Sequence, residues 1–457
     1  MNHPSSSLIA GIARARVEAL AASERVTYAT RRPNSRALAK EATHWWQGVP
    51  LHWMLDWGLP FPLFIAKAQG ARVKDVDDIR YADFCLGDTG AMFGHSPPAV
   101  AAAIQRQAAR GLTAMLPSRE AAEASQLLAE RFGLPTWQMT ATASDANRSV
   151  LRWARGLTGR PKVLVFNGCY HGQVDEAVAE LKRGVVVPGR SAIGQPVDPA
   201  LTTRVVEFND LDALEAALKQ GDVACVLTEP ALTNCSMVLP QEGFHQGLRA
   251  LTRRYGTLLA IDETHTLSTA PGGYTAAHGL QPDFFIVGKA IAGGLPCAVW
   301  GASAAVTERM DELNRERPPG HSGMGTTLSG NPLALAALVA TLRDVMTADA
   351  YAAMLAGAER LDEGLRRSIA GHGLPWHVVR LGARVEFVLA PHPLRNGGEA
   401  KALSVGRLEA ALHLFLLNRR VLVTPFHNML LVSPATTADE ISRLLEAFDD
   451  ALDALVG

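Results

Sequence analysis

The sequence predicts an α/β fold with a mainly parallel sheet flanked by helices, together with a smaller α+β domain. Three observations predict this fold class. Short apolar runs alternate with helix-length segments through the middle of the chain, and turn residues bound each run. The pattern changes to helices with few strands from about residue 335. A chain of 457 residues is also longer than a single hydrophobic core usually organises, so more than one domain is expected.

The strands of the sheet are predicted from six apolar runs. Each run is short, and most are separated by a segment long enough to form a crossover helix, which is typical of parallel strands. The runs are KVLVFN at 162–167, TRVVEFN at 203–209, VACVLTEP at 223–230, TLLAIDE at 257–263, DFFIVGK at 283–289 and CAVWGAS at 297–303. Ligands of such sheets bind beyond the carboxyl ends of the strands, so polar residues at those ends are candidate functional residues.

We predict three parts of the chain. Residues 1–80 are an N-terminal segment that contributes to the small domain and to an active-site wall, residues 81–334 are the large domain, and residues 335–457 are the small α+β domain. In the last part, ARVEFVLA and MLLVSP have strand character, and a closing helix begins near residue 438. The chain begins with the pattern of an amphipathic helix.

Composition makes several classes of function improbable. Lys and Arg number 44 against 45 Asp and Glu, and the basic residues are scattered, so nucleic acid is not a predicted partner. No apolar stretch approaches the roughly 20 residues that span a bilayer, so we expect no membrane association and a cytoplasmic location. The 5 cysteines form no CxxC pair and the histidines no HExxH motif, so no metal site is predicted.

Lys289 is the first candidate for chemistry, because it follows the apolar run of DFFIVGK and precedes AIAGGLP. A lysine in this position is often only a solvated strand end. Asp262 ends another apolar run, where a buried carboxylate requires a cationic partner. Both residues are expected at the same edge of the sheet.

Two loops add phosphate-binding and ring-stacking candidates. TASDANRSVLRWAR opens a helix with small hydroxyl residues, and a helix N-terminus can hold phosphate, although Ser144 could equally serve as a cap. NGCYHG places Tyr170 after a strand, where its ring could stack on a planar group. Together these features match one ligand, pyridoxal 5'-phosphate (PLP), which requires a Schiff-base lysine, an acid at its ring nitrogen and a phosphate site.

The order of motifs resembles the class III aminotransferases of fold type I, the family of amine and β-amino-acid transaminases and of glutamate-1-semialdehyde aminomutase. The resemblance extends from about residue 33 to the C-terminus, and seven motifs carry it. They are RYADF, FGHSPPAV, RWARGLTGRPKVLVFNGCYHG, TEPALTN, LLAIDE, GKAIAGGLP and GTTLSGNPLA.

The resemblance implies the fold type I architecture, with a mainly parallel, seven-stranded-type sheet. It also implies roles for individual residues. Lys289 is similar to the catalytic lysine that binds PLP as a Schiff base, and Asp262 to the acid at its ring nitrogen. The other implied cofactor contacts are Ala143 and Ser144 in the phosphate turn, Tyr170 on the ring, Thr264 at the usual valine position, Glu229 of the Glu-Pro motif, and Thr327, which reaches the phosphate from the second subunit of a homodimer.

The sequence departs from the family pattern in the phosphate turn and in the substrate region. Ala143 stands where the family usually has glycine. The stretch VLVTPFHNMLLVSP has no arginine where several relatives clamp a substrate carboxylate. Candidate substrate contacts are Arg36, Trp57, Asp88 and Phe426. A segment at 43–63 contains four tryptophans, which serve either as packing between domains or as the wall of an apolar pocket.

The leading prediction is a PLP-dependent transaminase that moves an amino group from a bulky, hydrophobic primary amine to a keto acid such as pyruvate. The alternative is an aminomutase of the glutamate-1-semialdehyde type or a β-amino-acid transaminase. Asn428 replaces the acid that we expect in a mutase, which disfavours the mutase. A PLP-dependent racemase or lyase ranks third, and a PLP-binding module without catalysis is a hypothesis from another class.

Overall fold

The computed structural model describes residues 8–189, 191–318 and 324–457. These residues pack as two compact units. Unit 1 consists of residues up to 96 together with 352–393 and 403–457, and unit 2 consists of residues 97–351 and 394–402. The predicted boundaries near residues 80 and 334 stay a prediction. Within the described ranges, no helix has both the length and the apolar character that crossing a membrane requires.

A seven-stranded sheet forms the centre of unit 2. In spatial order its strands are Thr203–Val206, Lys162–Phe166, Val223–Thr228, Leu258–Asp262, Phe284–Val287, Ala298–Ala302 and Thr136–Thr140. The first five are mutually parallel, and Ala298–Ala302 runs antiparallel to both of its neighbours. The predicted mainly parallel sheet is therefore confirmed, with all six predicted runs as strands.

Both faces of this sheet are buried. Along Lys162–Phe166, Val163 and Val165 belong to one hydrophobic cluster, while Leu164 and Phe166 belong to a second cluster on the other face. Successive strand side chains point to opposite faces, so a continuous apolar run is what a sheet covered on both sides requires. The helices of unit 2 are Pro98–Ala108, Arg119–Phe132, Ala143–Thr158, Pro199–Thr202, Leu211–Leu218, Phe244–Arg254, Gly273–Ala277, Ala304–Arg315, Pro332–Ala340 and Gly397–Ala402.

Three features of unit 2 were not predicted. The edge strand Thr136–Thr140 has the polar sequence TWQMT, which gives little strand signal. A hairpin joins Ala179–Lys182 to Val185–Pro188. The predicted helix PLALAALVATLRDVM is α-helical only over Pro332–Ala340 and continues as a π-helical turn over Thr341–Val345.

Unit 1 contains two small sheets and a helical layer. Ile65–Gln69, Arg72–Asp75, Arg80–Asp83 and Val421–Leu422 form a four-stranded sheet, and His377–Leu381, Arg384–Val388 and Met429–Leu431 form an antiparallel three-stranded one. A two-residue ladder joins Leu8–Ile9 to Ile12–Ala13. The helices are Arg14–Arg31, Pro33–Glu41, Gly406–Asn418, Ala438–Val456 and Ala348–Gly371, whose residues from 352 onward belong to this unit. The small α+β part is thus confirmed.

Candidate active site

The centre of the candidate site is a buried carboxylate at the end of the strand Leu258–Asp262. Asp262 is 4 % exposed, and its Oδ2 atom accepts hydrogen bonds from His171 Nδ1 and Asn147 Nδ2, both at 3.0 Å. Its Oδ1 atom accepts the Thr264 amide at 3.1 Å. Burial acts to raise the pKa of Asp262, but the hydrogen bond and charge of His171, with the bonds from Thr264 and Asn147, outweigh it and bring the pKa to about 2. Asp262 is therefore an anion at neutral pH.

His171 is the cationic partner of that carboxylate. Burial alone would lower the pKa of His171, but Cys169 and the Asp262 carboxylate act in the opposite direction, and the pKa stands well above its ordinary value. Neither His171 nor Asn147 was singled out from the sequence. His171 lies beside the predicted Tyr170 in NGCYHG, whereas Asn147 is recognised only in the structure, as a buried polar residue that requires a specific partner.

Lys289 begins a short 3-10 turn, Lys289–Ala292, which Gly288 separates from the strand Phe284–Val287. Its Nζ atom lies 2.6 Å from Nε2 of His265, which is three residues beyond Asp262 in the chain. The backbone of Lys289 has a φ of +51°, a left-handed conformation that non-glycine residues rarely adopt. The two predicted strand ends, at 262 and 289, therefore lie on neighbouring parallel strands at the same edge of the sheet.

The predicted phosphate turn forms the N-terminus of the helix Ala143–Thr158. The side chain of Thr142 caps the helix by accepting the amide of Asp145 at 3.2 Å, and the first amides of any helix have no intrahelical acceptor. Ser144 Oγ accepts the amide of Gln173 at 2.9 Å. Backbone is packed closely around this turn, because a Cβ atom at Gly172 would lie 2.1 Å from Ser144 Oγ.

Ala143 lies against the loop that carries Lys289. A Cβ atom added at Gly288 would be 3.0 Å from the Cβ of Ala143, so the residue before the lysine approaches the phosphate turn closely. Ala143 is not among the residues with positive φ, so alanine at a position where the family usually has glycine carries no left-handed backbone strain.

Glu229 follows the strand Val223–Thr228 and is held by its own loop. Its Oε2 atom accepts the Thr233 hydroxyl at 2.5 Å and the Thr233 amide at 3.1 Å, and Oε1 accepts the amide of Tyr170 at 3.2 Å. Burial raises the pKa of Glu229. Glu229 therefore connects its strand end to the Tyr170 loop.

Six of the predicted cofactor contacts and Lys289 thus converge at one edge of the sheet in unit 2. Thr327 does not belong to this group. It is exposed and lines a separate cavity of about 720 Å³ with Met115, Leu116 and Leu338.

The predicted substrate residues all belong to unit 1. Trp57 lines an apolar cavity of about 470 Å³ together with Trp45, Met54 and Leu422. Phe426 packs edge-on against Trp53, with 5.6 Å between the ring centroids.

Arg36 and Asp88 have different surroundings in the same unit. The exposed Arg36 donates from Nη2 to the carbonyl of Ala29, and its guanidinium lies 5.3 Å from the centroid of the Phe61 ring. Asp88 is half-buried with a φ of +48°, and its amide donates to the carbonyl of Cys85 at 3.0 Å.

A buried polar cluster in unit 1 was also missed. His427 Nδ1 lies 3.0 Å from Glu386 Oε1, and Asn428 donates to Glu409 Oε1 at 3.1 Å and accepts from His413 Nε2 at 2.9 Å. Burial, reinforced by the Glu386 carboxylate, raises the pKa of Glu409 to about 7. Asn428, the residue that replaces the expected mutase acid, therefore has acidic neighbours.

The site in unit 2 fits PLP. The Asn147 Oδ1 atom is buried without a hydrogen-bond partner among the described residues. A ligand bound near Asp262 can therefore donate a hydrogen bond to it. Asp262 would hold a cationic ring nitrogen, and the helix N-terminus at Ala143 and Ser144 would hold a phosphate. The geometry therefore agrees with the donor set that the cofactor requires.

The fold and the site define a PLP-dependent enzyme of fold type I. Residues 54–452 match the model of the family Aminotransferase class-III. The chain belongs to the class III aminotransferases.

Relatives and solved structures agree with this assignment. The chain is 34% identical over 400 residues to the glutamate-1-semialdehyde 2,1-aminomutase of Desulfitobacterium hafniense (strain DSM 10664 / DCB-2), which covers 86% of this chain and 91% of the relative. A crystal structure of a glutamate-1-semialdehyde-aminomutase from Pseudomonas aeruginosa PAO1 is 53% identical with a TM-score of 0.96, covering 97% of this chain and 100% of that one. A lysine-to-alanine variant of that enzyme was solved in complex with PMP.

A transaminase structure is also similar. The β-phenylalanine aminotransferase from Variovorax paradoxus is 27% identical with a TM-score of 0.84, covering 95% of this chain and 97% of that one. Relatives with both kinds of activity therefore share this fold.

Proposed function

We propose that the protein is a PLP-dependent transaminase in which Lys289 carries the cofactor. It moves an amino group from a primary amine with a bulky apolar substituent to a keto acid such as pyruvate. One observation carries the proposal: Lys289 Nζ and the buried, anionic Asp262 lie at the ends of neighbouring parallel strands. These are the two groups that an aldehyde coenzyme with a basic ring nitrogen requires.

Each residue of the site has a task in this proposal. PLP supplies an aldehyde that captures amines and a ring that accepts electrons. Asp262, held anionic by His171, would keep a cation at the ring nitrogen. Ser144 and the amide of Ala143 would bind the phosphate, and Tyr170 and Thr264 would contact the ring. Lys289 would remove and return the proton at the substrate carbon.

The apolar cavity of unit 1 supports the choice of substrate. Most of its wall is apolar and includes Trp45, Trp57 and Met54, and Asp83 and His95, which contact each other at 2.7 Å, are its charged or titratable polar members. Such a wall suits an apolar substituent better than a second carboxylate. Arg36 remains our candidate for the keto-acid carboxylate, and Asp88 and Phe426 remain proposed substrate contacts.

An aminomutase of the glutamate-1-semialdehyde type is the second candidate. The relatives at 34% and 53% identity favour it, since both bear that name. Asn428 disfavours it, because an amide stands where we expect an acid in that branch. Glu386 and Glu409, which lie around Asn428 in the same buried cluster, are the acids that could compensate.

A homodimer with Thr327 acting in the partner's site is part of the proposal. In unit 2 the exposed fractions of Met115, Leu116 and Leu328 are 73%, 72% and 58%. Met115 and Leu116 also line the cavity that Thr327 lines. Apolar exposure of this extent is typical of a surface that another protein covers. The cytoplasmic location expected from the sequence stays a prediction.

The test compares turnover with and without a keto acid. Purified protein loaded with PLP is given 1-phenylethylamine with pyruvate, and alanine is measured. In parallel it receives glutamate 1-semialdehyde with no acceptor. Alanine formation supports the transaminase, whereas consumption of the semialdehyde without any acceptor supports the mutase. If K289A retains either activity, the proposed role of Lys289 is wrong.

A further inference from the structure

A histidine that the sequence analysis did not single out lies in contact with the proposed catalytic lysine. His265 is 5 % exposed, and its Nε2 atom is 2.6 Å from Nζ of Lys289. Neither an ammonium group nor an imidazolium group has an atom that can accept a hydrogen bond. A hydrogen bond at this distance therefore requires that at least one of the two groups be neutral, and it provides a direct path for a proton between the two nitrogens.

The backbone around both residues is well fixed. His265 is the N-cap residue of the short 3-10 helix Thr266–Thr269, and its carbonyl accepts the hydroxyl of Ser268 at 3.1 Å. Lys289 begins the turn that follows the strand Phe284–Val287. The next strand, Ala298–Ala302, pairs with that strand, and Val299 lies opposite Val287. The contact is therefore set by the positions of two neighbouring strand ends.

The acidic groups next to His265 in the chain have other partners. Asp262 accepts from His171, Asn147 and the amide of Thr264. The other acid, Glu263, is fully buried and accepts the hydroxyl of Thr266 at 2.5 Å and the amides of Tyr274 and Thr275. His265 is thus a base within hydrogen-bond distance of Lys289, at 2.6 Å.

We propose that His265 is the proton partner of Lys289 during amino transfer. The inference rests on the proposed function, in which Lys289 is the lysine that carries PLP. In the step, the N–H bond at the Lys289 Nζ ammonium breaks and an N–H bond forms at Nε2 of neutral His265. The lysine becomes a neutral amine with a free electron pair, and the histidine becomes an imidazolium. The reverse transfer restores the pair, so no other reactant is needed.

A lysine must be neutral to remove a proton from a substrate carbon, so this transfer prepares it for catalysis. General acid–base assistance by a positioned side chain is typically worth about 10²–10⁴-fold in rate. A merely structural histidine would affect folding or cofactor affinity but not the protonation of the site. This difference makes the two roles separable.

The experiment compares the wild type with H265Q and H265N, each loaded with PLP. Gln and Asn retain hydrogen-bonding groups without titrating, and the exposed His278, which stacks on Tyr274 with 3.8 Å between centroids, supplies the control H278Q. Borohydride reduction followed by peptide mapping first identifies the lysine that carries the cofactor. Absorbance of the bound cofactor is then followed across pH, and the rate with amine alone is measured by stopped flow.

We expect the label on Lys289 in every variant. In H265Q and H265N the rate with amine should fall at least tenfold, and the midpoint of the absorbance titration should move by about one pH unit. H278Q should match the wild type in both. Rates within twofold of wild type and an unchanged midpoint, in either variant that folds, would overturn the role of His265. A label on a different lysine would overturn the proposed function itself, and this inference with it.

Discussion

His171 Nδ1 lies 3.0 Å from Asp262 Oδ2, and both side chains are almost completely buried. The cost of burying a carboxylate is therefore offset inside unit 2 before any ligand binds. This pair explains how Asp262 stays anionic at the end of an apolar strand.

Removal of His171 should weaken cofactor binding. In H171A the Asp262 carboxylate loses its main partner, and the loss of one member of a buried pair costs roughly 3–5 kcal/mol. The pKa of Asp262 should rise, so the stability that its ionised form contributes should be lost at a higher pH as the solution is acidified. We expect at least a tenfold higher Kd for PLP by fluorescence titration, with the exposed-site variant H278Q unchanged. An unaltered Kd would contradict the pairing.

A methyl group at Gly172 should disturb the phosphate turn. The added Cβ would lie 2.1 Å from Ser144 Oγ, and the residue has a φ of +76°. Gly184 is a matched control, because its φ is +77° and nothing lies within 4 Å of its Cβ position. Both variants carry the strain of positive φ, about 1–2 kcal/mol. Only G172A should also weaken PLP binding, whereas equal Kd values in the two variants would argue against contact of Ser144 with phosphate.

The free energy of unfolding should fall as pH rises, because Glu409 loses its proton. Its folded pKa of about 7 lies above the ordinary value of 4.5, so the folded state binds the proton more tightly. The contribution is fully present below about pH 4.5 and is lost as pH rises through 7, and it amounts to about 3 kcal/mol.

The variant E409Q should remove that dependence. Urea unfolding between pH 5 and pH 8 would show a smaller decrease for E409Q than for the wild type. E446Q, at an exposed glutamate of the helix Ala438–Val456, should retain the wild-type slope. If E409Q retains it as well, Glu409 is not the group responsible.

Charges on the exposed apolar surface of unit 2 should break the proposed dimer. A lysine at Met115 or an aspartate at Leu116 would have to lose its hydration on association. Light scattering should then show monomers for M115K and L116D at concentrations where the wild type is dimeric. L201K, at a leucine 63% exposed elsewhere in unit 2, should remain a dimer. A dimer in all three would place the interface on another surface.

Sequence patterns are sufficient to predict where a candidate residue lies in the fold when strand pairing alone determines its position. Lys289 and Asp262 end apolar runs, and parallel strands bring their carboxyl ends to one edge, so their proximity follows from strand pairing alone. Asn147, His171 and His265 depend on how helices and loops pack over that edge. Their polar side chains form no periodic pattern in the sequence. They are recognised only in the structure, as buried polar residues.

The strand Thr136–Thr140 was missed for a related reason. It pairs with Ala298–Ala302 at the edge of the sheet, and its sequence TWQMT is too polar to give the apolar run that marks the central strands. The polar cluster around Glu409 was missed because its members come from distant parts of the chain.

The left-handed backbone of Lys289 has a consequence for engineering. A side chain at a φ of +51° carries a conformational cost of roughly 1–2 kcal/mol, which glycine at the same place would avoid. K289G should therefore unfold at a higher temperature than K289A, although both lack the amine. Thermostability screens that ignore activity would then favour loss of the proposed catalytic lysine, so selection for a more stable variant must also measure turnover.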